Sequence, residues 1–270
     1  MKAFVQLLWL AVICTFLFPL YWMISMSFKS KSEAYDNPFG IPQSWDWHNF
    51  SEALSKYHFF LYFKNSLIYT SGTVVLTLLA GSMLAYCLSR MNWRLSPFVL
   101  MFISLGLIVP IEVVVIPLFQ LIKSLQLKDT YLGLILPYTG FSLASCVLML
   151  YAFLSTLPRE LEEAACIDGT NVYQAFFRII LPVVAPALST QSVLIFMRIW
   201  NEFPLAFIMA SKDQFRPLTV GLLGFFVNVG VSDWGIIAAS MLLSSLPTLI
   251  VYLAGNEKIE HALTAGAILK

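Results

Sequence analysis

The chain has 270 residues, of which 59% are hydrophobic and only 11% are charged, and its formal net charge is +1. Soluble domains carry about 25% charged residues, so most of this surface must face lipid or other protein rather than water. The composition predicts a polytopic membrane protein, and the near-neutral charge gives no indication of nucleic-acid binding.

Six apolar stretches are long enough to cross a bilayer as helices. A hydrocarbon core of about 30 Å needs roughly 20 apolar residues. The first stretch exceeds the roughly 7–15 residues of a signal-peptide core, so we expect a retained anchor. These stretches predict an all-α fold with a single transmembrane domain over residues 1–270. The predicted spans are 4–28, 66–89, 97–121, 131–157, 183–210 and 235–254.

The segment between the first two spans is polar and aromatic. Trp45 and Trp47 fit the interfacial belt of membrane proteins, and residues 48–64 are amphipathic enough for a helix on the membrane surface. Residues 217–229 are apolar but too short to span, which is typical of a re-entrant or interfacial helix.

Prolines and a glycine interrupt three of the predicted spans. Such breaks are tolerated where neighbouring protein or a water-filled cavity satisfies the backbone groups that they free. They indicate either ordinary kinks or a bundle that rearranges around a path, and the sequence leaves both open. The interrupting residues are Pro110, Pro117, Pro137, Gly140 and Pro186.

The distribution of Lys and Arg residues says little about the side of the membrane on which the termini lie. An even number of spans places both termini on one side, but the Lys and Arg residues divide almost equally between the two sides. The short connection 89–96 contains two arginines and no acid, which weakly favours a cytoplasmic position for it.

Residues 158–182 form the longest polar interruption of the C-terminal half. Acids at Glu160, Glu162 and Glu163 suit the first turn of a helix, and Gly169 can adopt the left-handed conformation that ends one. Asn171, with Gln174 three residues later, can cap a second helix. The pattern predicts a helix, a sharp turn and a second helix, which is either a docking element or a plain connecting loop.

Three ionisable residues fall inside predicted spans, where a charge is costly unless it is paired or hydrated. Arg198 and Glu202 lie four residues apart on one helix face, so they either pair with each other or line a path together with Asn201. Glu112 lies near mid-membrane between two prolines. The sequence therefore leaves a structural role and a solute path open for Glu112, Arg198, Asn201 and Glu202.

The polar interruption also carries a family resemblance. Glu163-Ala164-Ala165, Gly169, Ile179 and Leu181-Pro182 resemble, at their spacing, the EAA loop of bacterial ABC-importer permeases. The rest of the chain is similar to the carbohydrate-uptake branch of that family, which includes the smaller permease subunit for maltose. The further matching segments are 65–66, 116–118, 130–137, 200–203 and 263–267, whereas 256–261 departs from the pattern.

The resemblance implies a cytoplasmic coupling helix between spans four and five that inserts into an ATPase subunit. It assigns Glu163, Ala164, Ala165, Asp168 and Gly169 to that contact and places both termini in the cytoplasm of a bacterial cell. The implied partners are a second, homologous permease, two ATPase subunits that bind ATP and Mg²⁺, and an external solute-binding protein. This chain contains no Gly-x-x-x-x-Gly-Lys-Ser/Thr loop, so we expect no ATP hydrolysis by the chain itself, no catalytic residue and no bound cofactor. Its cysteines and histidines lack metal-ligand spacing, so we expect no metal site.

Two other classes of protein remain open. An ion-coupled carrier or channel would use Glu112, Arg198 and Glu202 as a relay, but it leaves the 158–182 segment without a role. A scaffold protein explains that segment but not the interrupted spans. Dependence of uptake on ATP rather than on an ion gradient separates an ABC permease from a carrier.

Overall fold

Helices make up the regular structure of the chain, and no strand occurs in the residues that the structure describes. The computed structural model describes the backbone of residues 2–55, 58–91, 93–167, 169–227 and 233–268, and the side chains of these residues other than 3, 166, 225, 227 and 257–268. In chain order the helices are α1 (Lys2–Ser27), α2 (Lys31–Asp36), α3 (His48–Ser55), α4 (Phe59–Arg90), α5 (Ser96–Leu105), α6 (Ile111–Ser124), α7 (Leu132–Thr156), α8 (Glu160–Ile167), α9 (Val172–Ala175), a π-helix (Phe176–Ile180), α10 (Leu181–Val183), α11 (Ala185–Trp200), α12 (Pro204–Met209), a 3-10 turn (Asp213–Phe215), α13 (Leu218–Gly221), α14 (Leu223–Val227) and α15 (Trp234–Ile268).

Four helices of the described residues are long and apolar enough to cross a membrane. They are Phe4–Ser27, Phe59–Arg90, Leu132–Thr156 and Trp234–Asn256. A fifth crossing results if Val172–Val183 and Ala185–Trp200, which meet at a bend of 71°, count as one span. The helical fold is therefore confirmed, and the count of six spans stays a prediction.

The predicted third span, 97–121, is divided between two helices. Gly106 ends α5, and Pro110 precedes the first residue of α6. Proline lacks the N–H that a continuous helix needs and pushes its preceding residue towards extended conformations. At 1.5 Å per residue, α5 and α6 are about 15 and 21 Å long, so neither crosses the hydrocarbon core alone.

The predicted fifth span, 183–210, is also shorter than expected. Helix α11 ends at Trp200, and α12 begins at Pro204 after a short turn. Proline is favoured in the first turn of a helix, where its missing N–H would have no intrahelical acceptor. The chain therefore restarts a helix at Pro204 instead of continuing the span.

The chain divides into two compact units. The first comprises Met1–Asn65 and Arg216–Pro247. Within it the buried Asn49 side chain donates to the carbonyl oxygens of Ser27 and Lys29, at 2.9 and 2.8 Å. Gly235 lies so close to Asn49 that a Cβ there would meet its Nδ2 at 2.4 Å. These contacts fix the end of α1 and the start of α15 against α3.

The amphipathic segment 48–64 differs from the prediction of one surface helix. Its first part forms α3, and its last residues, from Phe59, already belong to the spanning helix α4. His58 has φ of +57°, outside the range of a right-handed helix, so one continuous helix does not run through it.

The second unit comprises Ser66–Phe215 and Thr248–Lys270. Its core joins the last turns of α4 and α7 to the π-helix and α11. Gly81 of α4 faces Cys146 of α7 so closely that an added Cβ would lie 2.7 Å from the sulfur. The buried residues of this core are Ala85, Tyr86, Leu88, Cys146, Val147, Leu150, Leu154, Phe176, Ile180, Val184 and Ala187. The single domain expected over 1–270 stays a prediction.

Candidate functional site

Two sites were expected from the sequence, and both lie in the second unit. The first is the coupling segment, defined here as 158–182. Its helix α8 begins at Glu160, and the carbonyl of Arg159 accepts the N–H groups of Glu162 and Glu163, at 3.0 and 3.2 Å. The acids of this first turn lie at the positive end of the helix dipole, which stabilises them there.

A sharp turn follows α8, as predicted. Gly169 has φ of +79°, a conformation that residues with a Cβ rarely adopt. Thr170 donates its N–H and its hydroxyl to the carbonyl of Ala165, at 3.0 and 2.7 Å, which satisfies the end of α8. Asp168, a predicted coupling residue, lies outside the described residues.

The second helix of the segment begins with the predicted capping box. Asn171 Oδ1 accepts the N–H of Gln174 at 2.9 Å, and Gln174 Oε1 accepts the N–H of Asn171 at 3.1 Å. The helix widens into a π-turn from Phe176 to Ile180, just before Pro182, which has no N–H to donate. The predicted helix, turn and helix are therefore all present.

Glu162 and Ala165 lie on the side of α8 that faces the rest of the second unit. Ala165 is buried, and a Glu162 oxygen lies 3.8 Å from Arg90 Nε at the end of α4. Because Glu162 precedes Ala165 by three residues, both lie on one helix face.

The other predicted coupling residues face outward. Glu163, Ala164 and Gly169 are exposed. Two large apolar side chains accompany them, since Ile167 is 86% exposed and Tyr173 is 74% exposed. An exposed apolar patch beside acidic residues is typical of a surface that binds another protein.

The second site is a cavity of about 340 Å³ beside the break between α5 and α6. Three of the four predicted path residues line it together. Its lining comprises Gly106, Leu107, Val109, Ile111, Glu112, Tyr138, Phe141, Arg198, Ile199, Glu202 and Pro204. We call it the Glu112 cavity.

Glu202 holds the turn between α11 and α12. Its two oxygens accept the N–H groups of Leu205, at 2.7 Å, and Ala206, at 3.1 Å. The Tyr138 hydroxyl of α7 donates to Glu202 Oε2 as well. A carboxylate with three donors at a helix N-terminus is well stabilised, so Glu202 fastens α12 to α7.

Arg198 and Glu112 differ in their surroundings. The Arg198 guanidinium donates to the Ser142 hydroxyl, which in turn donates to the carbonyl of Tyr138 at 2.6 Å. Glu112 is exposed at the cavity, and within the described part of the chain no hydrogen bond or ion pair engages its carboxylate. It is the acid of this cavity that is available to a ligand.

Asn201 has a different environment from the other three residues. Its amide donates to the carbonyl of Met197 at 2.7 Å, and it is not among the residues that line the cavity. A solute contact by Asn201 therefore stays a prediction without structural support.

Three residues of these sites were not predicted from the sequence, namely Tyr138, Ser142 and Arg90. Tyr138 and Ser142 lie four residues apart in a span, and two polar side chains on one face of an apolar helix were a usable signal. Arg90 was noted only as a loop charge. In the structure it is buried at the end of a spanning helix, where it has a defined acidic partner.

Known proteins match nearly the whole chain. Residues 77–261 match the family described as binding-protein-dependent transport system inner membrane component. The chain is 33% identical to the trehalose/maltose transport system permease protein MalG of Thermococcus litoralis, over 96% of this chain and 93% of the relative. It is 30% identical to the diacetylchitobiose uptake system permease protein NgcG of Streptomyces coelicolor, over 96% of this chain and 85% of the relative.

A solved structure has the same fold. It belongs to a bacterial ABC transporter involved in the import of the acidic polysaccharide alginate, and it superposes with a TM-score of 0.83 at 23% identity over 95% of both chains. This likeness supports the overall helical fold independently of composition. From the family match and these relatives, the chain belongs to the family of binding-protein-dependent inner membrane components of transport systems.

Proposed function

We propose that this chain is a transmembrane permease subunit of an ATP-driven ABC importer whose cargo is a carbohydrate, in particular an oligosaccharide. Membership of the binding-protein-dependent family supports the importer. The relatives named for trehalose, maltose and diacetylchitobiose support a sugar cargo. The observation that carries the proposal is the coupling segment, a capped helix–turn–helix with exposed apolar residues between two apolar helices.

The coupling segment docks on an ATPase subunit. Ile167 and Tyr173 supply apolar contact area, and Glu163 and Ala164 lie on the same exposed side of the segment. The unstrained turn at Gly169 fixes the angle between the two short helices. Closure of the ATPase on ATP then moves the segment as a unit and shifts the spans between discrete conformations.

The Glu112 cavity forms this subunit's part of the solute path. Its volume lies in the range of about 300–1,000 Å³ that is typical of small-molecule sites. The Glu112 carboxylate and the Arg198 guanidinium offer an acceptor and donors to sugar hydroxyl groups. The interrupted backbone at 106–110 adds polar groups where a continuous helix would present none.

The complete importer contains further subunits. A second, homologous permease forms the other half of the path, two ATPase subunits bind ATP and Mg²⁺, and an external solute-binding protein delivers the sugar. Both termini and the coupling segment lie on the cytoplasmic side of the bacterial cytoplasmic membrane. This orientation lets the coupling segment reach the ATPases.

Purification of the tagged chain from native membranes in mild detergent, followed by mass spectrometry, tests the proposal. We expect an ATPase, a second permease and a solute-binding protein to co-purify. The binding protein is then screened against maltose, trehalose, diacetylchitobiose and starch-derived oligosaccharides. Recovery of the chain alone, in a preparation whose uptake resists vanadate but stops with a protonophore, would establish an ion-coupled carrier instead.

A further inference from the structure

We propose that Arg90 is a positioning residue that locks the coupling segment to the end of α4, so that α4 moves with the segment during transport. This inference rests on the proposed function. It concerns a residue outside the coupling segment and outside the motif by which that segment is recognised.

Arg90, at the end of α4, contacts two other elements. Its Nη2 donates to the carbonyl oxygens of Leu154 and Leu157 at the end of α7, at 2.8 and 2.9 Å. Its Nε lies 3.8 Å from Glu162 Oε2 on α8. Because Arg90 is itself the last residue of α4, one side chain joins α4, α7 and α8.

The attraction between Arg90 and Glu162 is electrostatic. Arg90 Nε and Glu162 Oε1 are buried and make no hydrogen bond within the described chain, so each side chain depends on the charge of the other. The Arg90 side chain is 5% exposed and that of Glu162 is 17% exposed. Water therefore screens the pair little, and the negative ends of the α7 peptide dipoles add to the stabilisation of the guanidinium. Lysine keeps the charge but has a compact ammonium where arginine has a planar fork, so it reproduces the two carbonyl contacts less well.

A second contact attaches the π-helix of the coupling segment to α4. The Tyr86 ring, one turn before Arg90 on α4, packs on the Phe176 ring of the π-helix with centroids 5.2 Å apart. Both helices of the coupling segment are thus attached to the last turn of α4, α8 by charge and the π-helix by aromatic packing. A displacement of the segment must carry α4 with it.

The complete complex, reconstituted in proteoliposomes, tests this role. ATPase activity is measured with and without the binding protein loaded with the sugar that the screen identifies, and uptake is measured in parallel. We expect Arg90→Ala to retain basal ATPase activity within about twofold, whereas stimulation and uptake per assembled complex fall about tenfold in Arg90→Ala and in Glu162→Gln.

Several variants separate positioning from simple stability. Arg94→Ala removes an exposed arginine of the adjacent loop and should behave as the wild type. Arg90→Lys should recover only part of the stimulation, and the double variant Arg90→Ala/Glu162→Gln should be no worse than the worse single variant. Glu162→Gln keeps the side-chain volume, so it remains informative if Arg90→Ala fails to assemble.

Two outcomes would overturn the inference. One is stimulation and uptake per assembled complex that remain unchanged in Glu162→Gln and Arg90→Lys. The other is additive losses in the double variant, which would mean that the residues act separately. A wild-type complex that shows no stimulation by loaded binding protein would contradict the proposed function itself, and this control is measured first.

Discussion

The two carboxylates that line the Glu112 cavity have different roles. Glu202 accepts three hydrogen bonds and fastens α12, whereas Glu112 is exposed at the cavity without a partner in the described chain. If Glu202 bound a solute instead, its three donors would lose their acceptor, and unpaired buried donors cost free energy. We therefore expect substitution of Glu202 to lower stability, and substitution of Glu112 to affect uptake without lowering stability.

Glu202→Ala should lower stability. It leaves the Tyr138 hydroxyl and two helix N-terminal amides without their acceptor, and we expect the free energy of unfolding to fall by about 2–3 kcal/mol. Thermal unfolding of the purified complex in detergent measures the change. Glu202→Gln retains one carbonyl acceptor and should lose less, and a Glu202→Ala protein as stable as the wild type would contradict the capping role.

Glu112→Gln should leave stability unchanged, within about 0.5 kcal/mol, because no described protein group depends on the carboxylate. Uptake should fall if the carboxylate accepts sugar hydroxyl groups, with a larger increase in the apparent KM than decrease in maximal rate. Initial rates of uptake over a range of solute concentrations distinguish the two. Identical kinetics in the variant and the wild type would remove Glu112 from the path.

Residue-scale chemistry could be predicted from the sequence only where the partners are local. The Asn171–Gln174 capping box and the left-handed Gly169 follow from short-range preferences. The Tyr138–Glu202 contact joins residues 64 positions apart, and no periodicity indicates it. The cavity residues were recognised as unusual charges, but their division into a structural and a free acid required the packing of α7 against α11.

At the scale of elements, the turn of the coupling segment is its most sensitive point. A Cβ at Gly169 meets no atom within 4 Å, so the cost of substitution lies in the backbone alone. Gly169→Ala should cost about 1–2 kcal/mol of local strain and reduce uptake, and Gly169→Asn should be milder. Gly169→Pro cannot adopt φ of +79° and should abolish uptake.

Glu163→Lys should abolish uptake as well, because it reverses the charge of an exposed residue of the same docking surface. Solute capture by the isolated binding protein should be unaffected by Glu163→Lys and by Gly169→Pro. Uptake assays in cells, with binding measured separately, provide the check. Normal uptake with both variants would exclude the segment as the coupling element.

The contact between α4 and α7 allows a compensation experiment. Gly81→Ala would place a Cβ 2.7 Å from Cys146 Sγ, and we expect a loss of about 1–3 kcal/mol from overpacking. Adding Cys146→Ala removes the sulfur and should restore most of the thermal stability. If the second substitution instead lowers stability further, the two helices do not meet at these positions.

Element boundaries were predictable for α1 and α7, which continue through Pro19 and Pro137. They were not predictable at 106–110 and 201–203. The adjoining prolines, Pro110 and Pro204, indicate a kink or a break equally well, and the outcome depends on which neighbours satisfy the freed backbone groups. At the second break the deciding group is the side chain of Glu202, which caps the new helix.

At the scale of the whole molecule, the number of crossings decides on which side the coupling segment lies. If α5 and α6 cross together, the segment after α7 lies on the side opposite to α2. If they do not cross, both lie on the same side. The six spans predicted from the sequence require opposite sides.

Labelling with a membrane-impermeant maleimide decides between these topologies. The native cysteines are first replaced, and single cysteines are then introduced at Tyr35 and Ile167, both of which are exposed. We expect labelling at position 35 in intact spheroplasts and at position 167 only after permeabilisation. Labelling of both from outside would mean that α5 and α6 do not form a crossing.

The exposed surface of helix α1 has a consequence for membrane insertion during synthesis. No residue in its most apolar 18-residue window is buried within the chain, whereas α5 and α6 are each too short to span. During synthesis α1 can therefore leave the translocon into lipid by itself, as soon as it emerges. The α5–α6 pair completes its contacts only when α7 and α12 have been made, so we expect its stable insertion to wait for them. Stalled nascent chains that end after α6 should be the ones most readily degraded.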